Sequence, residues 1–331
     1  MTTKATADAL ISGLLSVIRG KTAQIELFVS SYLSGGHILL EDVPGLGKTT
    51  LAKSLARLVG SGTGPDTAPA VFKRIQFTPD LLPYDITGVD IFNPQEHRFE
   101  FVPGPVFCDI LLADEINRTT PKVQSALLEV MAEKQVSSGT ITRRVNDLFF
   151  VVATQNPVES EGTYPLPAAQ LDRFMLRLSL GYPDETTEAD ILHNDPSETV
   201  LPHLGPVVCR SDVLAARDEQ KTVRCHPALE RAMITIVRST REHPAFLLGV
   251  SPRGALHLLH ASRTLALIRG RTWIEDGDIR DLAVPVLAHR IITKDHRADT
   301  ASILTELTSE VLRKIDKKTD WSKDWAADAA L

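Results

Sequence analysis

Five short segments of this chain have the pattern of β-strands. Four lie at residues 38–40, 74–77, 110–113 and 148–153, and the fifth lies within 171–180, after a helix end that carries Arg173. The nearly continuous apolar character of 110–113 and 148–153 is typical of strands that are buried on both faces of a parallel sheet. Between these segments, apolar residues recur every three or four positions, as they do in amphipathic helices. The pattern therefore predicts an α/β domain.

An insertion interrupts this alternation after the second strand. Residues 78–107 are too rich in proline and glycine for one helix, and strand-like alternation at 85–89 and 97–102 predicts a hairpin or loop. Its aromatic side chains favour a local core over a binding surface. These aromatic residues are Phe92, Phe99 and Phe101.

Beyond Pro183 the apolar spacing becomes helical and stays so to about residue 289. Trp321 and Trp325 near the C-terminus share one helical face, which suits either docking to a partner or packing on the helical region. We divide the chain into an α/β core at 1–184, a small all-helical domain at 185–315, and a polar tail at 316–331.

The segment 37–51, HILLEDVPGLGKTTL, predicts a strand, a glycine-rich turn and a helix start. Such a turn exposes backbone N–H groups to a polyanion, Lys48 adds a positive charge, and Thr49 offers a hydroxyl to Mg²⁺. Asp42 departs from the general phosphate-loop pattern, which has glycine at that position. The candidate nucleotide-binding residues of the loop are Pro44, Gly45, Leu46, Gly47, Lys48, Thr49 and Thr50.

Polar side chains follow two of the buried strands. Asp114 and Glu115 end the segment ILLADE, and Asn156 follows the strand at 148–153. The carboxyl ends of parallel strands meet at one edge of the sheet, where ligands bind. We expect Asp114 to hold Mg²⁺, Glu115 to polarise the attacking water, and Asn156 to orient that water or contact the γ-phosphate.

The helical pattern of residues 7–34 breaks at Gly20, just before the first strand. A break at this place in a phosphate-loop protein often lies over the adenine base. Val17, Ile18 and Gly20 are therefore candidates for the adenine pocket, although ordinary helix packing explains the same residues equally well.

Composition and charge narrow the class of protein. The 331 residues carry a net charge of −6, which argues against a chain that is basic throughout and binds nucleic acid. Cys108, Cys209 and Cys225 are far apart and form neither a disulfide pattern nor a zinc pattern. No apolar stretch reaches the length of a membrane-spanning helix. We expect a cytoplasmic protein without stable membrane insertion.

Five blocks of the sequence are distinctive together: GHILLEDVPGLGKTTLAK, PGPVF, ILLADEINRTTPKVQSALLEVMAEKQV, VVATQNPVESEGTYPLPAAQLDRFML and SPRGALHLL. In this order and spacing, they resemble the MoxR family of AAA+ ATPases, which is related to magnesium chelatase motor subunits. The resemblance covers residues from about 14 to 312. Ala168 stands where the family usually has Glu, a departure that bears on a contact between subunits. Lys21 stands where Gln is common, a departure that bears on the edge of the nucleotide pocket.

The resemblance implies a five-stranded AAA+ domain followed by a helical lid, with ATP and Mg²⁺ bound between subunits of a ring, usually a hexamer. Lys48 and Thr49 then correspond to Walker A, and Asp114 and Glu115 to Walker B. The remaining correspondences are Asn156 with sensor 1, Arg173 with the arginine finger supplied to a neighbour's ATP, and Arg253 with sensor 2.

The family resemblance favours an ATPase that remodels or matures a partner protein, often one with a von Willebrand factor A domain, or assists metal or cofactor insertion. A nucleic-acid motor is an alternative, because a hairpin predicted at 133–147 would project Arg143 and Arg144. A chelatase-type motor subunit is a further alternative.

Overall fold

The computed structural model of the chain describes residues 1–62, 67–139, 141–157, 162–295 and 298–317. Trp321 and Trp325 lie outside the described residues. The strands are β1 (His37–Glu41), β2 (Val59–Gly60), β3 (Phe72–Gln76), β4 (Gly88–Asn93), β5 (Arg98–Pro103), β6 (Ile110–Asp114), β7 (Gln135–Ser138), β8 (Ile141–Arg144), β9 (Phe150–Gln155), β10 (Phe174–Leu178), β11 (Val208–Cys209), β12 (Phe246–Leu248) and β13 (Ile292–Thr293).

Helices surround the sheet and form most of the C-terminal region. They are α1 (Thr3–Leu15), α2 (Thr22–Ser34), α3 (Lys48–Leu58), α4 (Pro83–Thr87), α5 (Pro121–Glu133), α6 (Ala168–Leu171), α7 (Glu185–Asn194), α8 (Pro196–Thr199), α9 (Arg210–Glu219), α10 (Pro227–Glu242), α11 (Pro252–Ile268), α12 (Asp276–Leu287) and α13 (Thr300–Asp316).

The central sheet has five strands in the order β10-β1-β9-β6-β3, and every neighbouring pair in it is parallel. All five strand segments predicted from the sequence are present in it. The carboxyl ends of β1, β6 and β9 therefore meet at one edge, which we call the carboxyl edge. The loop that enters β10 lies at the opposite, amino edge, because Phe174 pairs with His37 at the start of β1.

Alternating side chains of the sheet build two cores. In β1, Ile38 and Leu40 face a core shared with α1, α2, α3 and the C-terminal helices, whereas Leu39 faces a second core with α5. These strands are nearly continuous in apolar sequence because both faces are covered by helices. Helix α2 packs on α11, so the first core joins the N-terminal helices to the C-terminal ones.

The insertion at 78–107 forms α4 and an antiparallel hairpin of β4 and β5. The predicted strand at 85–89 is wrong over its first part, because Pro83 begins a short helix and the Asp85 carboxylate accepts a hydrogen bond from Leu82 N at 2.8 Å. The predicted local aromatic core is also wrong for two residues: Phe99 is 71% exposed and Phe92 is 48% exposed.

The C-terminal region is the predicted helical lid, to which the structure adds a short antiparallel pair of β12 and β13. Helices α10, α11, α12 and α13 pack against one another in it. Within the described part of the chain, no helix has both the length and the apolar character needed to cross a membrane.

Candidate functional site

The loop between β1 and α3 has the geometry of a phosphate-binding turn. Gly45 and Gly47 have φ angles of +87° and +80°, a region that side chains with a Cβ rarely adopt. A Cβ added at Gly45 would meet nothing within 4 Å, so the loop faces open space there. Helix α3 begins at Lys48, directly after the loop, which adds the partial positive charge of a helix N-terminus.

The Lys48 ammonium lies over its own loop. Its Nζ donates to the carbonyl oxygens of Asp42 at 2.5 Å and Val43 at 3.3 Å. Burial lowers the pKa of Lys48, and the carboxylates of Asp42, Asp114 and Glu115 oppose that shift. A phosphate oxygen at this position would add a stronger acceptor than the two carbonyl groups.

The contacts of the Asp42 side chain account for its departure from the general phosphate-loop pattern. Its carboxylate is almost fully buried and accepts hydrogen bonds from Ser179 Oγ at 2.6 Å, Leu180 N at 2.7 Å and Gly181 N at 3.1 Å. The side chain therefore fixes the start of the loop to the chain that leaves β10. A glycine at this position would leave the three donors without an acceptor.

We expect Asp42→Ala to lower the free energy of unfolding by about 2–3 kcal/mol, because the buried donors would lose the charged carboxylate that accepts their hydrogen bonds. The KM for ATP should rise as well, since the loop loses its attachment. Denaturant unfolding and steady-state ATPase assays measure the two effects. Ser179→Ala, which removes one donor and orphans none, is the matched control and should change stability by less than about 1 kcal/mol. Equal stability of Asp42→Ala and the wild type would contradict this role.

Asp114 and Glu115 stand together at the carboxyl edge. Asp114 accepts from Thr154 Oγ1 at 2.6 Å and from Arg74 Nη2 at 2.7 Å. Glu115 has a left-handed backbone, with φ +56°, and its N–H donates to Thr154 Oγ1 at 2.8 Å. This unusual conformation turns the chain sharply at the end of β6. The Glu115 carboxylate accepts hydrogen bonds from Gln76 Nε2 at 2.6 Å and from Arg118 Nη1 at 3.1 Å.

One cavity of about 370 Å³ brings most of the predicted residues together. Thr154 and Ser197 also line it, and neither was predicted from the sequence. The predicted residues that line it are Pro44, Gly45, Gly47, Lys48, Thr49, Thr50, Asp114, Glu115 and Asn156.

A second cavity, of about 150 Å³, shares Gly45, Gly47, Thr50 and Ser197 with the first and extends it toward the N-terminal helices. Of the adenine-pocket candidates, Val17 and Ile18 line this second cavity, as does Leu46.

Gly20 does not line the second cavity but makes the turn behind it, with φ +69°. Lys21 also lines it, and its Nζ donates to Tyr182 O at 2.8 Å. Where the related family commonly has Gln, this chain therefore ties the turn to the segment after β10.

The donor set suits Mg²⁺ held partly by a bound nucleotide. Magnesium in such sites keeps several waters and takes only one or two carboxylates together with phosphate oxygens. The Thr49 hydroxyl and the Asp114 carboxylate line the same cavity. Arg74, which now donates to Asp114, would compete with a cation there. Within the described residues, no group of three or more His, Cys, Asp or Glu side chains forms a separate metal site.

Arg173 and Arg253 lie elsewhere. Both line a cavity of about 270 Å³ at the amino edge, and neither lines the cavities of the phosphate loop. Arg173 directly precedes β10, whereas the phosphate loop follows β1 at the other end of the sheet. The five residues of β1 separate the two edges by about 15 Å.

A buried ion pair holds the lid beside Arg173. Arg290, only 3% exposed, donates through Nε to Asp172 Oδ1 at 2.9 Å, and Ser251 Oγ donates to the same carboxylate at 3.0 Å. Asp172 precedes Arg173, and Ser251 precedes α11 and Arg253. The contact thus brings the two predicted arginines to one surface. His289 is buried as well, and its Nε2 lies 3.2 Å from Phe174 O.

Comparisons with known proteins agree with this architecture. Residues 37–176 match the "ATPase family associated with various cellular activities (AAA)", and residues 238–314 match the "AAA lid domain". The crystal structure of a protein assigned as an ATPase from Cytophaga hutchinsonii superposes with a TM-score of 0.83, at 38% identity over 94% of each chain. The fold and site therefore define an AAA+ ATPase domain with its lid.

Relatives identify the family within that class. The chain is 44% identical to the uncharacterized protein YeaC of Bacillus subtilis, over 89% of this chain and 91% of YeaC. It is 39% identical to "Chaperone MoxR1" of Mycobacterium tuberculosis, over 90% of this chain and 78% of that protein. It is 32% identical to "Protein MoxR" of Paracoccus denitrificans, over 86% and 87% of the two chains. The chain belongs to the MoxR family of AAA+ ATPases.

Proposed function

We propose that this protein hydrolyses ATP to ADP and phosphate in the cavity at the carboxyl edge. The observation that carries the proposal is the convergence of Lys48, Asp114, Glu115 and Asn156 on one cavity beside two left-handed glycines. These residues come from three different strand ends, and only the fold brings them together.

The roles follow from the chemistry of each side chain. The backbone N–H groups at 45–50 and the Lys48 ammonium hold the phosphates. Thr49 and Asp114 would hold Mg²⁺, and the bound ion would neutralise charge on the phosphate oxygens. Glu115 accepts a hydrogen bond from the attacking water and Asn156 orients it. Val17, Ile18 and the turn at Gly20 form the wall of the adenine pocket.

The hydrolysis site is completed by a second copy of the chain in a ring, which we take to be a hexamer. Arg173 is about 15 Å from its own phosphate loop along β1, so its guanidinium serves a neighbour's nucleotide. Arg253 shares the cavity of Arg173 and is assigned to the same neighbouring site. An arginine placed in this way stabilises the charge of the transferring phosphoryl group.

The work done by hydrolysis is the chaperone-like remodelling or maturation of a protein client in the cytoplasm. The relative named Chaperone MoxR1 supports this class of activity. The three free cysteines accord with a reducing compartment. We assign the client to proteins with a von Willebrand factor A domain, with metal or cofactor insertion as one form of the maturation.

The nucleic-acid alternative depended on two projecting arginines, and one of them is already engaged. The Arg143 guanidinium lies 3.8 Å from the centroid of the Phe101 ring, and its Nη2 lies 3.4 Å from Asp90 Oδ1. Arg143 therefore joins the β7–β8 hairpin to the β4–β5 hairpin. Arg144 alone remains exposed, which is a weak basis for binding a polyanion.

A pull-down tests the client assignment. Tagged Glu115→Gln protein held in ATP should retain a protein partner from native cytosol and release it when nucleotide is removed. Lys48→Ala, which loses the ammonium that holds the phosphates, is the control and should retain little in either condition. A retained protein with a von Willebrand factor A domain would support the proposal. Nucleic acid retained in its place, and lost on Arg144→Ala, would contradict it.

A further inference from the structure

The amino-edge cavity that contains Arg173 and Arg253 is strongly basic. It lies where α2 meets β1, α5 ends, β10 begins and α11 begins. Among the described residues, no carboxylate lines it. Its basic side chains are His37, Lys134, Arg173, Arg253, His257 and His260.

Little in the described structure neutralises this charge. The acid nearest to Arg253 is Asp172, at 3.9 Å, and that carboxylate is already bound by Arg290 and Ser251. The side chains of Lys134 and Arg173 make no hydrogen bond or ion pair with any residue that the structure describes. Three positive charges thus share one small space.

His257 does not add a fourth positive charge to those of Lys134, Arg173 and Arg253. Its Nδ1 accepts a hydrogen bond from Arg290, and burial followed by the Arg290 charge lowers the pKa of His257 to about 3. Loss of solvation, followed by the charge of Arg217, also lowers the pKa of Lys134, and the Asp147 carboxylate opposes that shift. Such a set of groups favours an anion with several oxygens, and a phosphate group has that chemistry.

The backbone places Lys134 in this group. Helix α5 ends at Glu133, and Lys134 has a left-handed conformation, with φ +52°, that is uncommon for residues other than glycine. Its carbonyl accepts from Val145 N at 3.1 Å, which fixes the turn into β7. The helix end supplies only about half of one negative charge, so it does not balance three cations.

We propose that Lys134 is a third cation, with Arg173 and Arg253, for the terminal phosphate of a nucleotide held by the phosphate loop of an adjacent copy of this chain. The inference rests on the proposed function. The chain's own nucleotide is excluded, because its phosphate loop lies at the other edge of the sheet, about 15 Å away. Arg253 is 53% exposed and Lys134 is also exposed, so the cavity is open to a neighbour.

Replacing Lys134 should affect turnover more than nucleotide affinity, because the nucleotide is held mainly by the other subunit's loop. We expect Lys134→Ala to lower kcat by about 10- to 100-fold, which corresponds to one charge-assisted hydrogen bond, and to change KM for ATP by less than about threefold. Lys134→Arg keeps the charge and should recover most of the activity. Lys221→Ala, at an exposed lysine outside the cavity, is the matched control and should behave as the wild type.

Mixing subunits tests whether Lys134 acts on a neighbour. Rings assembled from Lys134→Ala and Glu115→Gln subunits should hydrolyse ATP faster than either variant alone, since a Glu115→Gln subunit presents an intact Lys134 to an intact Glu115. Wild-type turnover in Lys134→Ala, or no gain on mixing, would overturn the inference. If the mixture of Arg173→Ala with Glu115→Gln still gains activity, the proposed function stands and only the role of Lys134 fails.

Free inorganic phosphate is the alternative ligand for this cavity, because it has the same oxygens as the terminal phosphate of a nucleotide. Titration of phosphate into assays of wild-type and Lys134→Ala proteins separates the two sources. Under our inference, phosphate has the same small effect on both. A phosphate effect that is present in the wild type and absent in Lys134→Ala, without any gain on mixing, would place free phosphate in the cavity and overturn the assignment to a neighbour's nucleotide.

Discussion

Glu115→Gln is expected to keep ATP binding and to lower ATP turnover by roughly 10²–10⁴-fold, the range for losing a positioned general base. The binding residues at 45–50 are unchanged, so affinity for ATP should stay within a few-fold of the wild type. The amide oxygen of Gln can still accept from Gln76 and Arg118, which now bind the carboxylate at 2.6 Å and 3.1 Å. The fold should therefore persist.

Phosphate release and equilibrium binding of a fluorescent ATP analogue measure the two quantities separately. Lys48→Ala, unlike Glu115→Gln, should lose affinity for ATP, because the phosphates lose the ammonium that holds them. Glu306→Gln makes the same chemical change on the lid helix α13 and serves as the matched control, with wild-type turnover. Undiminished turnover in Glu115→Gln would remove Glu115 from the mechanism and leave the acidic strand end without its assigned role.

Arg173→Ala is expected to lower kcat by about 10³–10⁵-fold, the range found when an arginine that stabilises a transferring phosphoryl group is absent. Binding of ATP to the same subunit should be nearly unchanged, because Arg173 lies at the amino edge and contacts none of the loop residues. The side chain makes no hydrogen bond or ion pair within the described residues, so its removal should leave the fold stable.

Arg173→Lys distinguishes charge from geometry. A lysine keeps the positive charge but loses the planar group that binds two oxygens at once, so it should recover only part of the activity. Arg177→Ala is the control for removing an arginine from β10; Arg177 pairs with Glu41 at 3.0 Å and lines none of the three cavities described above. A variant Arg173→Ala that turned over ATP like the wild type would contradict the shared site.

Local patterns were enough to predict the parts of the site that are contiguous in sequence. The loop at 37–51 carries its strand, turn and helix start in one segment, and Asp114 and Glu115 end a short apolar run that is typical of a buried strand. Their meeting at one edge followed from the general rule for parallel sheets. The five predicted strands are all confirmed in the sheet.

Contacts between distant segments were not predictable in the same way. Arg74 and Gln76 bind Asp114 and Glu115 because β3 pairs with β6 in register, and the sequence does not state which strands are neighbours. The alternation in the insertion suggested strands at 85–89, but Pro83 and the Asp85 cap favoured a helix there. Local chemistry at the helix start outweighed the alternating pattern.

The roles of Asp42 and Lys134 also depend on tertiary structure. In the sequence, Asp42 was only a departure from a motif, and its purpose became clear from donors 137 to 139 positions away. Lys134 lies inside one of the family blocks, but no role for it followed from the sequence. It reaches the arginines because the residue after α5 and the residue before β10 line one cavity, a packing relation that has no signature in a single sequence.

The central claim is that ATP is hydrolysed where two copies of this chain meet, and mixed rings test it most directly. Arg173→Ala and Glu115→Gln subunits, each nearly inactive alone, are combined over a series of ratios before assembly, and phosphate release is measured. We predict a maximum at intermediate ratios that clearly exceeds both parents, because intact Glu115 on one subunit then faces intact Arg173 on the next. Turnover that stays at the weighted mean of the two parents at every ratio would contradict a site shared between subunits.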